Sequence, residues 1–251
     1  MMKKENLTVV KSTEIARETT EMVLQNTYIS KTAQPGQFLH IGVEGHTLRR
    51  PISIANIDRV NETITVLFKQ LGEGTKALSR YQEGMQISAL GPGGNGFTVD
   101  NNENKTVLLV GGGIGIPPLY CLGKKLAEQG VIIKSVLGYQ TSDSIFYEEK
   151  FNKLGKTVIT TNDGSYGHHG FVTDVLDGVG EYDCYYTCGP LQMLQAVTDK
   201  LKGQKGYISL EERMGCGVGA CFACVIPTDE HGGYKKICKD GPVFAANEVR
   251  L

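Results

Sequence analysis

No run of apolar residues in this 251-residue chain approaches the length of about 20 that a membrane-spanning helix requires. A dominant charge is also absent, since 26 basic side chains balance 27 acidic ones and the formal net charge is −1. This balance gives no electrostatic reason to expect a nucleic acid or an anionic membrane as partner. Residues 1–6 lack the apolar segment of a signal peptide, so we expect a cytoplasmic protein.

Cysteine and glycine, by contrast, are plentiful, with 7 and 32 residues. An odd number of cysteines in a reducing compartment argues against a disulfide framework. A chain of this length also buries a core large enough to be stable without such bridges. We therefore expect the positions of the cysteines, rather than their number, to carry the function.

The pattern of the chain changes twice, which predicts three regions. Residues 1–100 contain short strand-like runs between turn signals, typical of an antiparallel sandwich or closed barrel. Residues 101–208 alternate strands with helices, which predicts a doubly wound parallel sheet. Residues 209–251 are rich in glycine and cysteine, and they are too few to bury much by themselves. We expect a metal centre to organise this third region.

Four cysteines are concentrated in the third region. Cys216, Cys221 and Cys224 form a C-x4-C-x2-C run, and Cys238 follows after thirteen further residues. This spacing is the plant-type [2Fe–2S] signature, in which a tight glycine-rich loop wraps an anionic cluster. The alternatives are structural zinc and plain buried thiols. Zinc sites more often pair two C-x2-C units, and only one is present here, so the spacing favours the iron–sulfur cluster.

A glycine loop after the strand-like Thr106–Val110 is a candidate phosphate site. Its glycines precede a helix, whose N-terminus offers free N–H groups to a phosphate; they are Gly111, Gly112, Gly113 and Gly115. The loop does not match the G-x-G-x-x-G fingerprint, because Ile116 stands where the last glycine would be. A tight strand–helix turn without a ligand is the alternative.

The barrel-like region contains a second group of candidates. Arg50 is suited to pair with a phosphate, and Ser53 offers a hydroxyl to a heteroaromatic ring. Gly74 and Thr75 follow a predicted strand, and we expect a helix to begin at Thr75, where its N-terminus would favour a phosphate. Ordinary strand and turn chemistry is the alternative for each.

Together these motifs resemble the ferredoxin-NADP reductase superfamily. The R-P-x-S run at Arg50–Ser53, the G-G-G-I-G-I-P run from Gly111 and the C-G-P run at Cys188 are the matching segments. The resemblance implies a Greek-key barrel that binds FAD, a second domain that binds a nicotinamide nucleotide, and Cys188 at the nicotinamide–flavin contact. It assigns FAD to Arg50, Pro51, Ile52, Ser53, Leu67, Phe68, Lys69, Gly74 and Thr75, and the nucleotide to the glycine loop with Gly189 and Pro190.

The short cysteine-rich tail narrows the resemblance. It is similar to that of the iron–sulfur electron-transfer subunits of NAD-linked dihydroorotate dehydrogenases, and the similarity spans the whole chain. The resemblance implies a partner, an FMN-containing catalytic subunit, in a heterotetramer with two copies of each chain. Electrons would then pass from dihydroorotate through FMN, the [2Fe–2S] cluster and FAD to NAD⁺ during pyrimidine biosynthesis. We expect the cysteine loop at the partner interface, because electron transfer requires short distances.

Two other functions remain open at this stage. One is the small subunit of an NAD(P)H:ferredoxin oxidoreductase or sulfide dehydrogenase-type complex, which would share the FAD domain and the short cluster tail. The other is a non-catalytic redox sensor, in which two nucleotide sites would have no role. For the nucleotide we expect NAD rather than NADP, because no arginine or lysine closely follows Leu137 to pair with a 2′-phosphate.

Overall fold

The computed structural model describes residues 2–99, 105–228 and 233–251. It contains a closed β-barrel, a β-sheet with helices packed against it, and a C-terminal segment that contacts both. The predicted boundary between residues 100 and 101 lies outside the described residues. No helix in the described ranges has the length and apolar character needed to cross a membrane.

Six antiparallel strands form the barrel. They are β1 (Lys3–Ala16), β2 (Thr19–Gln25), β3 (Phe38–Ile41), β4 (Arg50–Asp58), β5 (Thr63–Lys69) and β6 (Gln86–Gly93), with the short helices α1 (Thr27–Thr32) and α2 (Glu73–Leu78) between them. The strands close in the order β1-β2-β5-β4-β3-β6. Alternate residues such as Leu7, Val9, Met22 and Leu24 are fully buried, because successive side chains of a strand point to opposite faces. The predicted antiparallel Greek-key barrel is confirmed.

The second sheet contains parallel strands connected by helices. Its strands are β7 (Thr106–Gly112), β8 (Ile132–Tyr139), β9 (Gly155–Thr161), β10 (His168–His169), β11 (Cys184–Cys188) and β12 (Gly206–Ser209), and its helices are α3 (Ile116–Ala127), α4 (Glu148–Asn152), α5 (Val172–Val175) and α6 (Leu191–Lys200). The strands lie in the order β10-β9-β8-β7-β11-β12. The chain therefore builds the sheet outward from β7, first to one side and then to the other, which makes the sheet doubly wound, as predicted.

The C-terminal segment extends this second sheet. It contains β13 (Val225–Pro227), β14 (Tyr234–Lys236), α7 (Ile237–Asp240) and β15 (Val243–Ala245). Strand β15 pairs antiparallel with β12 and places Phe244 opposite Ile208, whereas β13 and β14 pair only with each other. The predicted division between residues 208 and 209 therefore falls inside β12, next to the strand that the tail contributes.

The barrel and the second sheet share a continuous interface. Helix α3 packs against β4, and the apolar cluster under it includes residues from both sides. A polar contact adds to this interface, because the Tyr147 hydroxyl donates to the Glu21 carboxylate of β2 and Lys150 Nζ lies 3.0 Å from the same oxygen. These apolar and polar contacts join the barrel to the second sheet.

Candidate functional site

A cleft at one end of the barrel collects the residues predicted to bind FAD. Strands β4 and β5 are antiparallel neighbours, so the beginning of β4 lies beside the end of β5. Eight predicted residues line the cleft: Arg50, Pro51, Ile52, Ser53, Leu67, Phe68, Lys69 and Thr75. Its opposite wall, which sequence reasoning missed, comes largely from the C-terminal segment through Leu210, Glu211, Glu212, Met214 and Pro242.

Arg50 and Gly74 are in direct contact within this region. A Cβ atom on Gly74 would lie 1.9 Å from Arg50 Nη2, so only glycine allows the guanidinium to rest on the first turn of α2. The same guanidinium contacts the Leu48 carbonyl and lies 3.3 Å from His46 Nδ1. Helix α2 begins at Glu73, two residues before the predicted start at Thr75. A fixed positive charge beside backbone N–H groups is suited to hold a phosphate.

A second cleft of about 820 Å³ lies at the carboxyl ends of the parallel strands. Of the predicted nucleotide-binding residues, Gly112, Gly113, Gly189 and Pro190 line it. Strands β7 and β11 are adjacent, which brings the glycine loop beside the C-G-P run. Ligands of open α/β sheets bind at this edge, where the strand order reverses.

Two of the predicted loop glycines have a packing role instead of lining the cleft. A Cβ atom on Gly111 would lie 2.8 Å from the Ile116 side chain. A Cβ on Gly115 would lie 2.4 Å from the backbone carbon of Cys188. Glycine at these positions lets the loop approach the α3 helix and the end of β11 closely.

Cys188, predicted at the nicotinamide–flavin contact, is fully buried and lines neither cleft. Burial raises the pKa of its thiol well above the ordinary value, and the charge of Glu211 adds to this rise while the Ser209 side chain opposes it. The structure therefore keeps Cys188 a neutral thiol just beneath the place where the two clefts meet. Its predicted role stays a prediction.

Glu211 is the principal residue that sequence reasoning missed. Lys69, Leu71, Ile114 and Glu211 line both clefts, so these residues mark the junction between them. Glu211 is exposed on the cleft wall, yet desolvation by the surrounding protein raises the pKa of its carboxyl to about 7, with the Ser53 side chain opposing this shift. No motif signalled it, because Glu211 reaches Ser53 only when the C-terminal segment packs against the barrel.

The four predicted cluster cysteines form two pairs. The side chains of Cys216 and Cys221 are hydrogen-bonding neighbours, and so are those of Cys224 and Cys238. Within the described ranges, no three candidate side chains surround one point as ligands of a single metal ion would. Two pairs suit a dinuclear centre, because each iron of a [2Fe–2S] cluster takes two cysteines.

The cysteine loop also directs backbone N–H groups at sulfur. Gly219 N–H donates to Cys238 Sγ at 3.2 Å, and Cys221 N–H donates to Cys216 Sγ at 3.3 Å. Burial alone would raise the pKa of Cys216, but N–H groups from the loop outweigh it and lower that pKa to about 6. A thiolate stabilised by N–H donors is the ligand that an iron–sulfur cluster requires, so Cys216 fits the predicted cluster. Burial and the neighbouring Cys224 side chain, by contrast, raise the pKa of Cys238 to about 12.

The fold and these sites define a class, namely flavin- and nicotinamide-dependent oxidoreductases of the ferredoxin reductase fold with an added iron–sulfur loop. Residues 211–250 match the family "Iron-sulfur cluster binding domain of dihydroorotate dehydrogenase B". The chain is 52% identical to the "Dihydroorotate dehydrogenase B (NAD(+)), electron transfer subunit" of Bacillus cereus (strain G9842) and to that of Bacillus mycoides (strain KBAB4), over 100% of each chain. The chain belongs to this family of electron transfer subunits.

Solved structures agree with this placement. An NADH-dependent reduced ferredoxin-NADP oxidoreductase, studied for flavin-based electron bifurcation, matches with a TM-score of 0.89 and 34% identity over 97% of this chain and 89% of that chain. The Amycolatopsis cytochrome P450 reductase GcoB matches with a TM-score of 0.70 and 22% identity over 80% and 66%, which shows the fold alone. The predicted family resemblance and the cofactor set of FAD, a [2Fe–2S] cluster and NAD are confirmed.

Proposed function

We propose that this chain carries electrons between a catalytic dihydroorotate dehydrogenase subunit and NAD⁺. One observation carries the proposal, namely that the segment Leu210–Met214 forms a wall of the flavin cleft and leads directly into the cysteine loop at Cys216. The nucleotide cleft adjoins the same flavin cleft at Glu211. Three binding sites thus follow one another in the order that electron transfer from a partner to a nucleotide requires.

The proposed roles of the residues follow from this order. Arg50, Gly74 and Thr75 bind the FAD phosphates, while Ser53 and Lys69 lie along the flavin. Gly112, Gly113, Gly189 and Pro190 bind the nicotinamide nucleotide, with Cys188 beneath its contact with the flavin and Gly111 and Gly115 shaping the loop. Cys216, Cys221, Cys224 and Cys238 bind the cluster. When bound, nicotinamide exchanges two electrons, the cluster one, and the flavin either number, so the flavin belongs between them.

We further propose that the partner is an FMN-containing catalytic subunit, assembled as a heterotetramer with two copies of each chain. The name of the curated relatives, which designates an electron transfer subunit, supports a catalytic partner. Large apolar side chains are exposed on the cysteine loop and on the neighbouring hairpin: Val218, Phe222, Val225 and Tyr234. An exposed apolar group of this kind is typical of a protein interface, and it would bring the cluster close to FMN.

The nucleotide cleft supports NAD rather than NADP. Among the residues that line it, Lys69 is the one basic side chain, and it also lines the flavin cleft. Glu18 and Glu211 place acidic groups on the same wall. A 2′-phosphate therefore meets no arginine or lysine of its own in this cleft. We expect the purified protein to oxidise NADH faster than NADPH, and equal rates would refute this preference.

The decisive experiment isolates the chain with its natural partner under anaerobic conditions. We expect a co-purified protein containing FMN and no other cofactor, and we expect dihydroorotate to reduce the cluster and FAD only in the complex. NADH should reduce FAD in this chain alone.

The similarity to the bifurcating oxidoreductase favours a second candidate, a small subunit of an NAD(P)H:ferredoxin oxidoreductase-type complex. A large partner bearing [4Fe–4S] clusters, with no response to dihydroorotate, would establish that function instead. Failure of NADH to reduce the flavin would exclude both.

A further inference from the structure

A buried histidine lies between the barrel and the cysteine loop. His40 is in β3 and is fully buried. Within the part of the chain that the structure describes, neither Nδ1 nor Nε2 of its ring makes a hydrogen bond of normal geometry, although the backbones of Arg49 and Cys216 approach the ring. An unpaired buried polar group costs about 1–3 kcal/mol. The protein tolerates this cost at a position where a leucine would pack without it, so the ring nitrogens call for a functional explanation.

The ring of His40 faces the first cluster cysteine. A Cβ atom on Gly217 would lie 2.3 Å from His40 Nδ1 and 2.9 Å from Cε1, so Gly217 presents its backbone directly to the imidazole. Gly217 has a φ of +69°, a conformation that suits glycine and bends the loop around the ring. The backbone of Cys216 also lies within hydrogen-bonding influence of the ring. These contacts connect a barrel strand to the peptide that carries Cys216.

The other side of His40 is anchored in the barrel. Arg49 Nη1 donates to the His40 carbonyl at 3.2 Å and to the Ser88 carbonyl at 3.1 Å. His40 also pairs with Pro51, which belongs to the segment that lines the flavin cleft. The histidine therefore has a fixed backbone on the flavin side, and its imidazole lies against the backbones of Cys216 and Gly217 on the cluster side, with the Arg49 backbone also beside the ring.

We propose that His40 is a positioning residue for the iron–sulfur site, whose imidazole N–H donates to Cys216 and holds this first ligand at a fixed orientation to the flavin barrel. The inference rests on the proposed function in one respect, namely that Cys216 binds the cluster. The acceptor is the backbone of Cys216, so the N–H dipole acts beside the cluster and fixes the orientation of its ligand. A positive dipole end near a cluster favours the reduced, more negative form. Removal of the donor should therefore lower the potential of the cluster without removing a ligand.

The test compares three variants of the full chain purified with its cofactors. His40→Leu keeps the apolar bulk and removes the donor, whereas His40→Gln keeps an N–H donor on a side chain of similar size. Ile41→Val is the matched control. Ile41 is equally buried in the same strand, but its side chain lies in the barrel core. The substitution therefore leaves a small cavity in the barrel only. Iron content, the electron paramagnetic resonance spectrum of the reduced cluster and its midpoint potential are measured for each.

We expect His40→Leu to change the cluster spectrum and to lower the ratio of reduced to oxidised cluster about tenfold at a fixed solution potential, about 59 mV for one electron. His40→Gln should restore most of both properties, and Ile41→Val should lower thermal stability alone. An unchanged spectrum and potential in His40→Leu would overturn the proposal. Loss of iron in both His40 variants would also overturn the proposal, because the cysteine loop would then depend on packing against the imidazole ring and not on its N–H donor.

The proposed function is tested separately, by measurements on the wild-type chain. A wild-type protein that binds no cluster, or whose cluster exchanges no electrons with a dihydroorotate-reduced partner, would contradict that function whatever the His40 variants show.

Discussion

The barrel and the cysteine-rich tail achieve their structures in different ways. The barrel closes on itself, so each of its six strands is paired on both sides, and its centre is filled by aliphatic side chains such as Leu24, Ile54 and Val66. The tail has two three-residue strands, β13 and β14, and a third strand, β15, which pairs with the neighbouring sheet. A two-stranded hairpin is marginally stable at best. The barrel is thus a scaffold in its own right, whereas the tail requires an organiser.

The cores of the two regions show what that organiser is. Cys224 and Cys238 are buried within the apolar cluster of the tail, alongside Met214, Ile226 and Phe244. In the barrel, by contrast, only Ile52 and Phe68 of the eight predicted flavin residues that line the cleft belong to the barrel's apolar core, and most side chains of that core lie away from the cleft. Cys224 and Cys238 are thus both core side chains of the tail and proposed ligands of the cluster, so we expect cluster loss to disrupt the packing of the tail.

The largest expected effect is the loss of the cluster and of the folded tail in a chain whose barrel remains folded. Cys238→Ser should abolish the cluster spectrum and expose the tail to protease, because it removes both a ligand and a core side chain. The barrel should stay folded, whereas FAD content should fall, because Leu210, Glu211 and Met214 of the tail form one wall of the flavin cleft. Cys121→Ala is the control, since Cys121 is a buried thiol outside the tail and its loss should leave the cluster intact. Full FAD content in a Cys238→Ser variant whose tail is digested would show that this wall of the cleft does not contribute to FAD binding.

The next effect breaks the flavin site and spares the tail. Gly74→Ala places a Cβ 1.9 Å from Arg50 Nη2, and the guanidinium must move away from the phosphate position. We expect FAD affinity to fall about tenfold to a hundredfold, the range for a lost charged hydrogen bond. Titration of the FAD-free protein with FAD measures this. Gly72→Ala is the matched control, because a Cβ there meets nothing within 4 Å, and an equal loss in both variants would contradict the assignment.

A smaller effect tests the interface that holds the two sheets together. Tyr147→Phe removes the hydroxyl that donates to Glu21 and should lower the free energy of unfolding by about 1.5–2 kcal/mol, since the acceptor is charged and partly buried. Denaturant unfolding measures the change. Tyr166→Phe removes a similar hydroxyl–carboxylate bond, to Glu148, at an exposed position and should cost at most about 0.5 kcal/mol. Equal costs would show that burial of the contact is irrelevant.

The smallest expected effect concerns pH at the junction of the two clefts. The carboxyl of Glu211 has a pKa of about 7, above its ordinary value, so it is protonated below pH 7 and charged above it. A carboxylate beside the cationic nicotinamide of NAD⁺ should tighten NAD⁺ binding roughly fivefold as pH rises from 6 to 8, about 1 kcal/mol for charges 4 Å apart in a high-dielectric site. NADH, which lacks that ring charge, should bind with little pH dependence. If NAD⁺ binding to a Glu211→Gln variant still tightened between pH 6 and pH 8, this role of Glu211 would be disproved.

Local patterns were sufficient to predict much of the molecule. The strand predicted at Thr106–Val110 lies at Thr106–Gly112, and the helix expected after the glycine loop lies at Ile116–Ala127. The four cysteines also lie together, as their spacing predicted. These features depend on residues close together in the chain, whose periodicity and spacing are visible in a single sequence. The eight flavin-cleft residues come from separate segments, and they lie together as the family resemblance implied.

Contacts between distant segments could not be found in the same way. Glu211 meets Ser53, and His40 meets Gly217, only after β12 has joined the second sheet and the tail has folded against the barrel. The burial of Cys188 and the packing role of Gly115 have the same origin, because both depend on how the glycine loop lies against the end of β11. Residue types and spacing thus determined the cofactors and their loops, while the tertiary structure decided which side chains stand between the cofactors, since that depends on packing across the whole chain.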